Sequence, residues 1–321
     1  MSTVTTLVDQ FEEQGYVVVP DVLDPQRDLQ PIIDDYAQVL DRLALIWYGE
    51  GKLSSSYAGL PFNRRFIAMV EEAQAPWYQF LDISLPQKNV TEQTPIHLSE
   101  AVFNLLSTPA VLDVVEQLIG PEIYCNPIRH VRLKPPERLV PEDQRRGLVA
   151  QTAWHQDQGV ALPEADETSI ITVWIPITDA TEENGCLRLI PGSNRTGLTT
   201  HCPNGLDGIL HIPDKLLGGE PLTLPMKRGS VLFMHRRTKH SSWSNLTDDI
   251  RWSFDLRYQP IGQPTGRPAF PGFVVRSKQN PERVLKDYET WMALWYEARS
   301  ALAQDRLPEF NRWQSDSPAC A

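Results

Sequence analysis

No CxxC pair occurs in the 321-residue sequence. Its four cysteines, Cys125, Cys186, Cys202 and Cys320, stand apart, which excludes a zinc knuckle and a thioredoxin-like dithiol. A chain this long does not imply a disulfide framework, so free, partly buried thiols in a reducing cytoplasm are expected. Excess positive charge is also missing. With 30 Lys and Arg against 41 Asp and Glu, the net charge is -11. That repels phosphate backbones and anionic lipid, so neither a nucleic-acid nor a membrane partner is expected. The opening MSTVTTLVDQFEEQGYVVVP has early acids and no apolar run of signal-peptide length. No segment reads as approaching the apolar length of a membrane span, and a cytoplasmic protein is expected. Internal repeats and low-complexity stretches are absent too.

What is present suits a β-rich architecture. Twenty-seven prolines are many for a helical bundle, and proline belongs in turns and at edge positions. Residues 3–14 have helical spacing and stop at Gly15, and YVVVPDVL then reads as a strand. Residues 28–47 carry an apolar helical stripe, and 99–118 form another amphipathic helix with Ser99 as N-cap and Gly120 as its end. From about residue 122 to 260 short β-like runs alternate with turn signals: IYCNPIRHVRL, SIITVWIPI, GCLRLIPGS, PLTLPM, GSVLFM and IRWSFDLRYQP. One domain over 1–321 is expected. Helical support covers about 1–120, a sandwich or barrel core about 122–260, and a last helix about 281–304. The tail SDSPACA is expected to fray.

The chemistry centres on WHQDQG, residues 154–159. On a strand, residues i and i+2 project to one side, so His155 and Asp157 can reach one metal. An iron(II) site with open positions needs two imidazoles and one carboxylate on one face, so a distant strand must supply another histidine. GSVLFMHRRTKHSSWSN offers His235 and His240. His240 has the better context, with Ser241, Ser242 and Asn245 after it and Arg251 eleven residues on. An arginine there can hold a carboxylate bidentately. A triad plus that arginine is the residue set a 2-oxo acid co-substrate requires. The bland reading of WHQDQG is two polar residues in a turn.

The segments NPIRHVRLKPPE, WHQDQG, WIPITDATEENGCLRLIPGSN and GSVLFMHRRTKHSSWSNLTDDIRW resemble the phytanoyl-CoA dioxygenase family. The likeness runs over roughly residues 8–260. It implies a double-stranded β-helix, jelly-roll and cupin-like, mainly β with flanking helices. It also implies an enzyme using iron(II), 2-oxoglutarate and dioxygen. By this resemblance His155, Asp157 and His240 hold iron. Arg251, helped by Ser242, pairs with the far carboxylate of 2-oxoglutarate, and His130 and Trp174 fall at co-substrate contacts. An upstream lysine contact has no clear match, and Lys88 is the nearest guess. The implied reaction hydroxylates a C–H bond of a small organic molecule while 2-oxoglutarate loses carbon dioxide to give succinate. Halogenating relatives lack the carboxylate that Asp157 supplies.

Strand alternation carries RWSFDLRYQ further. If Arg251 points into the barrel, so do Ser253, Asp255 and Arg257, while Trp252, Phe254, Leu256 and Tyr258 face out under the helices. Asp255 and Arg257 then form either a structural ion pair or a substrate contact. Arg257 and Gln158 are the substrate candidates. Residues 45–95, 158–168 and 195–225 are the loops expected to choose the substrate. Other readings stay open: a catalytically silent barrel used for binding, the same chemistry giving desaturation or cyclisation, a protein or nucleic-acid oxygenase, or a metal-dependent isomerase or hydrolase. The oligomer is read as monomer or homodimer.

Overall fold

The computed structural model describes residues 6–142, 149–203, 210–304, 310–313 and 317–320. The strands are β1 (Tyr16–Val19), β2 (Ile123–Cys125), β3 (His130–Lys134), β4 (Thr152–His155), β5 (Ile171–Pro176), β6 (Leu187–Leu189), β7 (Cys202–Pro203), β8 (Leu210–His211), β9 (Leu222–Leu224), β10 (Val231–His235), β11 (His240–Ser242), β12 (Arg251–Pro260) and β13 (Phe273–Arg276). The helices are α1 (Leu7–Gln14), α2 (Gln30–Gly49), α3 (Phe62–Ala73), α4 (Tyr78–Leu81), α5 (Glu100–Leu106), α6 (Pro109–Ile119), α7 (Asp157–Val160) and α8 (Tyr288–Gln304).

A seven-stranded antiparallel sheet runs β1-β10-β5-β12-β2-β13, with β3 also paired to β12. A second sheet runs β4-β11-β6-β9. Between them Trp174, Leu232 and Met234 of the large sheet meet Leu187 and Leu189 of the small one. This is a jelly-roll core with helices on one outer face. It is wider than expected from the sequence. β1 joins as an edge strand from within the helical region, and β13 extends the sheet past residue 260.

β12 organises the large sheet by pairing with β5, β3 and β2. Its alternation divides two environments. Trp252, Phe254, Leu256 and Tyr258 enter the main hydrophobic core. Tyr36 of α2 lies 5.0 Å from the Trp252 ring, and Phe62 of α3 stacks on Trp252 at 4.8 Å. The Tyr258 hydroxyl donates to the Leu106 carbonyl at 2.8 Å, so α5 is tied to the sheet by a buried hydrogen bond as well as by packing.

Local signals set the helix ends. In α1, Thr6 accepts from the Asp9 N–H while Asp9 accepts from the Thr6 N–H, a full capping box. The stretch read as a helix over 99–118 is two helices. Thr108 precedes Pro109 and takes an extended ψ of 120°, because proline disfavours α geometry in the residue before it. Ser99 caps α5 by accepting from the Val102 N–H at 3.2 Å. Glu100–Ile119 has the length and mean hydropathy, 1.3, of a membrane span, contrary to the reading that no segment does. Here it breaks at the proline and buries Val102, Phe103, Leu106, Val111 and Val115 in the core.

Two cysteine expectations are corrected. Cys202 and Cys320 form a disulfide, while Cys125 and Cys186 are free and buried. The pair closes a loop of 118 residues, and no spacing rule links cysteines so far apart. It also removes reduced thiols as an argument for a cytoplasmic location. Within the tail, residues 318–320 make a helical turn that the disulfide anchors. Just before it, Arg312 Nη2 donates to Asp166 at 2.7 Å and Trp313 Nε1 to the Gly159 carbonyl at 2.7 Å.

Phe254→Ala removes a fully buried ring from the helix–sheet junction. It should cost ~3–5 kcal/mol, whereas Tyr258→Phe should cost only about 1 kcal/mol for its single hydrogen bond. Urea unfolding midpoints measure both, and a smaller loss for Phe254→Ala than for Tyr258→Phe would contradict this packing.

Candidate metal and co-substrate site

β4 and β11 are antiparallel neighbours, and His240 pairs directly with His155. Residues directly opposite on antiparallel strands share a face, so the two imidazoles meet with ring centroids 4.2 Å apart. Asp157 arrives differently from the expected strand geometry. β4 ends at His155 and Asp157 opens the one-turn helix α7. Between them Gln156 stays extended, φ -116° and ψ 138°, so the pleat carries on just far enough to put both side chains on one side. The ligand atoms of His155, Asp157 and His240 all lie within 4.8 Å of one another, and all three residues are buried.

Each imidazole is preset for a metal. His155 Nδ1 faces the Ala153 carbonyl at 2.8 Å and His240 Nδ1 the Thr238 carbonyl at 2.9 Å. A carbonyl only accepts, so Nδ1 carries the proton and Nε2 offers its lone pair. Burial, and then the neighbouring His240, push His155 well below the usual imidazole range, which keeps it neutral. Burial opposes the charge of Asp157, but Arg257, with the Thr172 hydroxyl, outweighs it and holds the carboxyl well below the usual carboxylate range. Arg257 Nη2 donates to Asp157 Oδ1 at 2.5 Å, and the Thr172 hydroxyl donates to Oδ2.

Behind the triad lies a chamber lined by Arg132, Thr172, Trp174, Met234, Ser242, Asp255 and Arg257 as well as the two histidines. About 10 Å³ of it is free, roughly the room one water needs, so a co-substrate must displace side chains there. The donor set nevertheless fits an anion. Arg251 is fully buried, Nη1 donates to Ser253 at 2.7 Å, and Nε and Nη2 have no acceptor among the described residues. Burial pushes its guanidinium down to about 10, still charged at neutral pH. Its Cζ lies 5.7 Å from the Trp174 ring centre. Lys134 is also fully buried and donates to Ser242 Oγ at 2.7 Å and to the Trp243 carbonyl. A buried guanidinium with unmatched donors, as at Arg251, fits an anion, and a 2-oxo dicarboxylic acid is one.

The remaining residues anticipated from sequence are divided between the chamber and other places. Ser242 stands on β11 and is held by Lys134. His130 turns its Nδ1 to Asp82 at 2.9 Å and lines a separate outer cavity. Gln158 faces its own loop, donating to Asp166 and accepting from Arg237 Nε at 2.6 Å. Asp255 pairs with Arg132 and Arg257 with Asp157, so the Asp255–Arg257 pair considered from the strand pattern does not form. Lys88 is exposed. Lys134, Arg132, Thr172 and Asp82 escaped the sequence reading. A signal for two of them exists in HVRLK, where His130, Arg132 and Lys134 alternate with apolar Val131 and Leu133. β3 pairs them opposite Asp255, Ser253 and Arg251 on the same lumen face.

A profile of the phytanoyl-CoA dioxygenase family matches residues 11–253. Among curated proteins, L-proline trans-4-hydroxylase of Streptomyces griseoviridis is 24% identical over 57% of this chain and 71% of its own length. The peroxisomal phytanoyl-CoA dioxygenase of Homo sapiens is 23% identical over 77% of this chain and 66% of its own length. A phytanoyl-CoA dioxygenase of Arabidopsis thaliana is 31% identical, but over only 34% of this chain and 39% of its own. The solved structure of the non-heme monooxygenase ThoJ, without metal, superposes with a TM-score of 0.57 at 17% identity, covering 93% of this chain and 99% of that one. That last likeness speaks for the fold.

Replacing either imidazole, His155→Ala or His240→Ala, should abolish tight iron binding while the circular dichroism spectrum stays native. Arg257→Ala, which strips Asp157 of its guanidinium, should weaken iron binding by ~10–100-fold. Iron titration followed by calorimetry checks all three, and full iron affinity in His240→Ala would refute the ligand set.

Proposed function

This chain belongs to the phytanoyl-CoA dioxygenase family, and we propose that within it the protein hydroxylates an unactivated C–H bond of a small organic molecule. It is an oxygenase that depends on iron and 2-oxoglutarate. The single observation that carries the reading is the buried His155–Asp157–His240 cluster standing between two spaces, a cation-rich inner chamber and an outer cavity.

Iron, 2-oxoglutarate and dioxygen together supply an oxidant strong enough for a C–H bond, at the cost of one decarboxylation to succinate. The chain's own residues do the rest. His155 and His240 present Nε2 and Asp157 an oxygen, three ligands that leave other positions of the metal open. Arg251 holds the far carboxylate of the co-substrate from within the barrel, with Ser242 and Trp174 beside it. Arg257 and Thr172 fix the orientation of Asp157. The outer cavity, about 440 Å³ and lined by His155 and Asp157 at the metal, is in the size range of small-molecule sites and takes the substrate. Residues from the three stretches anticipated as substrate-choosing do line it: Tyr78 and Leu85, Val160, and Leu210. Hydroxylation is favoured by Asp157, which occupies a position that halogenation needs vacant, and by the likeness to a protein named as a proline hydroxylase.

Under anaerobic conditions, iron(II) and 2-oxoglutarate added together should produce a weak visible charge-transfer band that neither gives alone. No band, with iron bound, would refute co-substrate chelation at this site. In air, succinate release should accompany 2-oxoglutarate consumption. Arg251→Ala should raise the 2-oxoglutarate concentration needed for half-maximal band or turnover by at least tenfold, since a hydrogen bond to a charged group contributes ~1.5–3 kcal/mol. An unchanged requirement would remove Arg251 from the co-substrate site.

A further inference from the structure

The outer cavity has one built polar device on its wall, distant from the metal ligands in sequence. Asp82 is 2% exposed and sits at the end of α4. Its Oδ1 accepts from the backbone N–H groups of Ile83 and Val131, both at 2.9 Å. Its Oδ2 accepts from the Tyr78 hydroxyl at 2.7 Å and from His130 Nδ1 at 2.9 Å. Four donors converge on two oxygens, which is the full capacity of a carboxylate. A carboxylate oxygen accepts, and in this arrangement His130 Nδ1 is the fourth donor when it carries the ring proton.

With a proton on Nδ1 and the ring neutral, Nε2 keeps its lone pair. Nδ1 is turned to Asp82, and His130 lines the cavity. The imidazole is 22% exposed while its partner Asp82 is 2% exposed, so the ring stands between buried anion and open space. Around it the wall carries Leu85, Ile128, Val160, Leu210 and Phe310, with Gln79, Gln87 and Asn311 among them and Arg132 and Arg257 nearer the triad. An apolar pocket with a few convergent polar groups is the usual form of a small-molecule site, and the polar groups set the orientation of the ligand. A purely structural role does not need the imidazole. The Val131 N–H already ties β3 to Asp82, and the Tyr78 hydroxyl and the Ile83 N–H occupy it from the helix side.

We propose that His130, preset by Asp82, is a specificity-determining substrate contact: Nε2 accepts a hydrogen bond from a hydroxyl group on an otherwise apolar substrate. This rests on the outer cavity being the substrate site. It reassigns His130 from the co-substrate, because Nδ1 points to Asp82 and the ring lines the outer cavity rather than the inner chamber.

Binding can be measured on the protein without added iron, which separates this proposal from the oxygenase reading. The probes are matched pairs, each a hydroxylated apolar ring compound and its methyl ether, beginning with 4-cyclohexylphenol and 4-cyclohexylanisole and extending to cyclohexyl alcohols and their ethers. In calorimetric titrations the wild type should bind the hydroxyl member ~10-fold or more tightly than its ether, the size of one good hydrogen bond to a site built for it. His130→Leu should bind both members alike. His130→Gln, whose carbonyl can still accept, should recover part of the preference; a merely structural histidine would not give that rescue. Equal binding of each pair by the wild type, or no binding of any hydroxyl probe, overturns the proposal. So does a preference that persists in His130→Leu. If the hydroxyl preference holds while no 2-oxoglutarate-dependent band appears, the cavity is a hydroxyl-selective site and only the oxygenase reading falls.

Discussion

Buried charge is the constraint on which this structure depends. Arg132, Lys134, Arg251 and Arg257 all lie inside the barrel, against the carboxylates of Asp157 and Asp255. Isolated ions cost several kcal/mol each to desolvate, so each must find a partner. Arg132 takes Asp255, Arg257 takes Asp157, and Lys134 takes Ser242 and a backbone carbonyl. Arg251 is left with two unmatched donors. Burial, and then Arg251 and Arg132, depress Lys134 well below the ordinary lysine range. Those unmatched donors are the observation that supports placing a co-substrate carboxylate at Arg251.

The scaffold that tolerates this crowding is β12. One strand separates an apolar helix-packed face from a polar lumen, residue by residue. Its outward aromatic rings anchor α2, α3 and α5, and that rigidity holds the inward Arg251, Asp255 and Arg257 where the neighbouring strands can pair with them. The metal cluster uses the same economy in the small sheet. A single cross-strand pair, His155 with His240, brings together residues 85 positions apart without any loop having to reach. Function and stability therefore share elements, and the site is preorganised because its supports are core.

The C-terminal residues add a second layer over the metal loop. Arg312 reaches Asp166, Trp313 reaches the Gly159 carbonyl and lies 5.1 Å from the His201 ring, and His201 Nε2 accepts from the Gln156 N–H. Cys320 closes the arrangement onto Cys202. Gly159 is a site of close approach, since a Cβ there would lie 2.2 Å from the His201 ring. The segment between the metal ligands and the cavity mouth is thus held from outside as well as from below.

The sequence by itself determined the strand alternation of β12, the triad residues and the arginine eleven positions after His240, whereas the helix it read with caps at Ser99 and Gly120 breaks in two at Pro109. The β12 alternation, the His155–Asp157 step and the His240–Arg251 interval are short-range spacings that map onto period and face, while joining His240 to His155 and Asp157 rested on the family resemblance. Only the tertiary structure decided which charges pair. Arg257 belongs to Asp157 and not to its strand neighbour Asp255, because β4 and α7 bring Asp157 across the barrel. The Asp82–His130 contact joins residues 48 apart, and the Cys202–Cys320 bridge residues 118 apart. Side chains that meet through two separate elements carry no joint signature along the chain, since their spacing depends on everything folded between them. The partner of a buried charge is chosen by proximity after folding, and proximity is what a linear pattern does not encode.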